Sequence, residues 1–78
     1  MTRPAAIRRL ERAGLTGASV TVARGWDYGG LTAHRVHRVS VSAPGYPSWE
    51  FAGASHPDRS VALKLAVADA LGRVEVAA

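Results

Sequence analysis

At 78 residues the chain has the length of one domain, and by size scaling such a domain buries only about 60% of its unfolded surface, so its core has to be compact. It has no cysteine, which excludes disulfides and thiolate metal sites and fits a reducing cytoplasm. No apolar run approaches the roughly 18 residues needed to span a bilayer, and charges stand near the N-terminus where a signal peptide has its apolar stretch, so a cytoplasmic protein with no membrane partner is expected. The formal charge is +4, from nine arginines and a single lysine against six acids. Arginine suits bidentate phosphate recognition, but the same Ala-, Arg-, Gly- and Val-rich composition also follows from GC-rich coding, as in actinobacteria and their phages.

The first element is a short helix over Thr2 to Ala13. Thr2 can cap it, Pro4 lies near its start, and Ala6, Ile7, Leu10 and Ala13 recur at helical spacing before Gly14 closes it. Its other side carries Arg8, Arg9 and Arg12 with Glu11 as the one nearby acid, which reads as a solvated helix face or as a phosphate contact. Ala18 to Arg24 then alternates as a half-buried strand with Val20 and Val22 inward. Gly25-Trp26-Asp27-Tyr28-Gly29-Gly30 is expected to break that strand. Trp26 and Tyr28 would then either fold back over the sheet edge or stand exposed as a recognition surface.

Leu31 to Ser42 is a second strand whose alternation slips, because Arg35 and His37 interrupt the face shared by Leu31, Ala33, Val39 and Val41; a bulge near 35 to 38 would reconcile the pattern. Ala43-Pro44-Gly45-Tyr46 has the residues of a type II turn. Ser48 to Ala52 is the third expected strand, with Trp49 and Phe51 on its core face.

Ser55 and Asp58 match a capping box, with Pro57 in the first turn, so the last helix is expected to start near His56 and to end at Gly72. The alternation of Val61, Leu63, Leu65 and Val67 also has the period of a strand, and the alanines at 62, 66, 68 and 70 decide for helix. Two apolar strips result: Leu63, Val67, Ala70 and Leu71 on one side, Val61, Leu65 and Ala68 on another. Such a helix is either buried on both strips within the domain or packed on its sheet with one strip left for a partner.

The predicted order, helix, three strands, helix, is an α+β fold in which a three-stranded antiparallel meander carries both helices on one face. This order, with the spacing of Ala62, Ala66, Ala70 and Leu71, resembles the double-stranded-RNA-binding fold over most of the chain. The resemblance implies phosphate contacts at the start of the last helix, where Arg59 matches a basic position while Ser60 and Leu63 stand where that family has lysine. It also makes His34 the counterpart of the family's loop histidine. Arg-Leu-Glu-Arg-Ala-Gly-Leu at 9 to 15 is in turn similar to the first helix of the HicA toxins, which cleave mRNA. Their functional histidine sits in a Gly-Ser-His context, replaced here by Thr32-Ala33-His34, so that resemblance extends to the fold and leaves ribonuclease activity unsupported.

Other chemistry finds little footing. His34 and His37 point to opposite faces of a regular strand, so a metal site would need both the bulge and a third ligand such as His56. Gly25, Gly29 and Gly30 precede no helix that would cradle a phosphate. The chain is therefore expected to be non-enzymatic, with no cofactor and no metal. Two partner classes follow. Nucleic acid would be held with little sequence preference by Arg8, Arg9, Arg12, His34, Arg35, Arg38 and Arg59. A protein partner, or a second copy of the chain in a homodimer, would instead use Trp26, Tyr28, Tyr46, Val61 and Leu65.

Overall fold

Helix α1 spans Arg3–Arg12 in a computed structural model that describes residues 1–45 and 52–77. The Thr2 hydroxyl accepts the Ala5 amide at 3.2 Å, as an N-cap should. At the other end Gly14 takes a φ of 97°, the Gly14 amide donates to the Glu11 carbonyl and the Leu15 amide to that of Leu10. This is a Schellman closure, and its accompanying apolar contact is supplied by Leu10 and Leu15, both buried in the core.

The chain then forms β1 (Ser19–Gly29), β2 (Thr32–Ser42), β3 (Ala52–His56) and α2 (Arg59–Ala77). The three strands make one antiparallel sheet in the order β1-β2-β3. The α-β-β-β-α architecture expected from sequence is the one observed. Val20, Val39, Val41 and Ala52 on one face of the sheet meet Ala6 and Leu10 of α1 and Ala62, Leu63, Ala66, Val67 and Ala70 of α2. Valines on a pleated surface opposite alanines on a helix let the two layers approach closely, which suits so short a chain.

Several boundaries differ from the sequence expectation. The glycine-rich stretch 25–30 does not break the first strand: β1 continues through Gly29, and the chain reverses over Gly30 and Leu31 between the paired Gly29 and Thr32. Gly30 has a φ of 64° and among the described residues no other residue type has a positive φ, so the two-residue turn fits a II′ hairpin. Backbone pairing outweighs the low strand propensity of glycine here, because a tight turn aligns both strands in one register. Nor is there a bulge at 35 to 38. The ladder runs unbroken from Ser19↔Ser42 to Gly29↔Thr32, and Arg35 and His37 simply lie on the same face as Val39 and Val41, further along the hairpin.

The last helix also shifts. Ser55 and His56 pair with Arg38 and His37 as the end of β3, so they cannot begin a helix. The cap is Asp58, whose carboxylate accepts the Val61 amide at 3.2 Å and whose carbonyl accepts the Ala62 amide at 3.0 Å. Gly72 lies inside α2, which continues to Ala77. Helical hydrogen bonding carries through it, since Gly72 has no positive φ and Val74 beyond it still packs on the core. Gly45 has a φ of 92°, as the Pro-Gly pair predicts, whereas Tyr46 and the expected strand residues 48 to 51, with Trp49 and Phe51, lie outside the described residues. Among the described residues no helix is long and apolar enough to cross a membrane.

Candidate nucleic-acid interface

The two longest strands outrun the third. β3 pairs with β2 only from Val41 back to His37, so Gly25 to Val36 form a two-stranded arm beyond the last three-stranded row, Arg24, His37 and His56. Alternation along the arm puts Arg24, Trp26 and Tyr28 of β1, with Ala33 and Arg35 of β2, on the face that carries the helices lower down. Asp27, His34, Val36 and Arg38 are on the opposite face. At the tip Leu31 is fully exposed, Tyr28 is 79% exposed and Trp26 47%.

The base of this arm is where both helices begin. β3 runs toward His56 and turns through Pro57 and Asp58 into α2, so the start of α2 stands beside His37. The N-terminal ammonium of Met1 donates to the Ser60 hydroxyl, which places the start of α1 at the same end. One recess there is lined by Arg24, Trp26, Arg35, His37 and Pro57. A second, entered by Arg59 two residues on from Pro57, is lined with Arg3, Pro4, Ile7 and Arg8. Five arginines and the terminal ammonium thus surround the corner between arm and helices.

Little counter-charge opposes them. Neither helix has an acid in its first turn. Among the described residues the one ion pair, Arg73 with Asp69 at 3.2 Å, lies elsewhere on α2, where Asp69 also accepts the Gly53 amide at 3.1 Å and ties the helix to β3. The acid of the corner is Asp58. The Val61 amide donating to its carboxylate holds it below the usual carboxylate range, against a smaller desolvation effect, with His56 and the terminal ammonium adding to the lowering. The positive ends of two helix dipoles add to the field at the same place.

The seven residues expected to contact phosphate are therefore not brought together as one set. At the corner, Arg8 and Arg59 line one recess and Arg35 the other. Arg9 and Arg12 occupy the last turn of α1, where a positive charge complements the carbonyl end of the helix. Arg38 extends from the opposite face of the sheet across Gly25 and donates to the Trp26 carbonyl at 3.4 Å. Its Nε lies 2.7 Å from where a Cβ on Gly25 would stand, so the glycine is the gap that lets it pass. His34 lies on that same face, its Nε2 3.2 Å from the Thr32 hydroxyl. Arg3 and Arg24 join the corner without having been singled out from sequence. Arg24 follows the parity of Val20 and Val22, and continuing that parity through the glycines would have found it.

The residues expected at a protein interface are also divided. Trp26 and Tyr28 are on the arm. Leu65, 47% exposed, and the half-buried Val61 lie on the outer strip of α2, while Leu63, Val67 and Ala70 form its buried strip. Tyr46 lies outside the described residues. Among those described, no group of three or more His, Asp or Glu side chains is arranged to hold a metal ion.

Comparison with protein-family models, with curated proteins and with solved structures finds no match to this chain.

Proposed function

We propose that the chain is a small non-enzymatic module that binds nucleic acid through arginine–phosphate contacts at the corner between the hairpin arm and the helix starts. The observation that carries this reading is that Arg24 and Arg35 line one recess and Arg3, Arg8 and Arg59 another at the same end of the fold, with no carboxylate within 4 Å of any of them among the described residues. Guanidinium groups that neutralise phosphates release the cations condensed along a nucleic acid into solution, and that release favours binding. Such contacts position a backbone and read no bases, so little sequence preference follows. The element order shared with the double-stranded-RNA-binding fold supports the same class of partner.

The test is fluorescence anisotropy of labelled oligonucleotides at low salt with two sets of variants. Replacing Arg24, Arg35 and Arg59 by alanine should weaken binding by at least tenfold, while replacing Arg9, Arg12 and Arg38 should change it little. Equal losses from the two sets would reject the corner as the site.

A second reading rests on the outer strip of α2, where Leu65 is 47% exposed beside Val61 and suits a protein contact or a homodimer. Sedimentation of the wild type and of Leu65→Glu distinguishes it: an association lost in the variant supports this reading, and a monomer in both removes it.

A further inference from the structure

The arm carries a feature that phosphate neutralisation leaves unused. Trp26 and Tyr28 are two residues apart on one strand, so their rings share a face about 6.7 Å apart along the chain. No helix covers them, and both are well exposed. The Arg35 guanidinium sits 5.5 Å from the centre of the Trp26 ring, holding that indole from one side. Arg24 and Arg35 flank the rings on the same face, and the nearby acid Asp27 is on the other. The result is a short aromatic ledge bordered by positive charge.

Resting on the phosphate-binding reading above, we infer that the preferred ligand is single-stranded nucleic acid, with successive bases stacked on Trp26 and Tyr28 and their phosphates on Arg24 and Arg35. A duplex keeps its base faces stacked against each other, so it offers these rings no flat partner. A single strand offers a base face at every nucleotide, and stacking on an aromatic side chain is tolerant of sequence. An apolar protein surface would be a poorer occupant, because docking there would desolvate Arg24 and Arg35 without giving them an acid.

The experiment compares a labelled single strand of about 12 nucleotides, as RNA and as DNA, with the matching duplexes. The expected result is at least tenfold tighter binding of the single strands and quenching of tryptophan fluorescence on binding. Tyr28→Ala should weaken single-strand binding by about tenfold and leave duplex binding unchanged. Trp26→Phe should keep most of the affinity, since the ring can still stack, but should lose most of the quenching. Duplexes bound as tightly as single strands, with the usual salt dependence, would overturn this inference and leave the phosphate reading standing. Binding of neither form would overturn both. Aromatic variants that alter only the sedimentation of the free protein would assign the ledge to a protein contact and likewise overturn the inference.

Discussion

Asp58 shows how one residue sets both the fold and the charge of the corner. As the N-cap of α2 it satisfies the Val61 amide, and that bond favours its ionised form. Because its folded pKa is depressed, the stability it contributes is present above its ordinary value of 3.8 and is lost as the pH falls through the lower folded value. Asp58→Asn retains a capping oxygen without the charge. Thermal melts should therefore show the wild type more stable than this variant at pH 7, with the gap narrowing below about pH 4. A gap independent of pH would mean that the carboxylate is not engaged. The sequence marked Asp58 as part of a cap but gave the capping role to Ser55, because Ser-x-x-Asp has the right spacing. What decided otherwise was long-range: Ser55 is held by its pairing with Arg38, which no local pattern reveals.

At the scale of elements, the two departures of most consequence are the length of the hairpin and the length of α2. Both come from glycines taken as breaks. In the stretch 25 to 30 the strand survives because the partner strand supplies an unbroken ladder, and only Gly30 uses the freedom that glycine offers. Gly72 behaves as an ordinary helix residue with open space around its missing Cβ. Gly72→Ala should then stabilise the protein by about 1 kcal/mol, measured by chemical denaturation. A left-handed cap at that position would give a loss instead. The arm has its own signature on β2: Thr32 to Val36 have one neighbour strand, whereas His37 to Val41 lie between two, so amides in the first segment should exchange with solvent faster than those of Val39 to Val41. Uniform protection along β2 would contradict the arm as an extension without support. The alternation of Val20 and Val22 and the helical spacing of Ala6 and Leu10 made the core legible, because burial acts on every turn and every second strand residue.

On the scale of the whole molecule, the proposed function depends on which charges the topology gathers. Sequence identified the arginines as the residues of interest but not their grouping, since Arg3, Arg24 and Arg59 come from three elements that reach one end of the fold only when the chain has turned four times. It also could not show that Arg35 and Arg38 part to opposite faces until the absence of a bulge was known. The fold makes one end of the protein strongly positive and gives Arg9, Arg12 and Arg38 local structural roles. The central claim is that this end neutralises phosphates. It is tested most directly by measuring the affinity for a labelled oligonucleotide across a range of salt concentrations, for the wild type and for the Arg24, Arg35 and Arg59 triple alanine variant. The account predicts a linear fall of log affinity with log salt whose slope corresponds to about three to five phosphates in the wild type, and a slope smaller by about two to three in the variant. Binding that does not respond to salt, or a slope unchanged by the triple substitution, would contradict it.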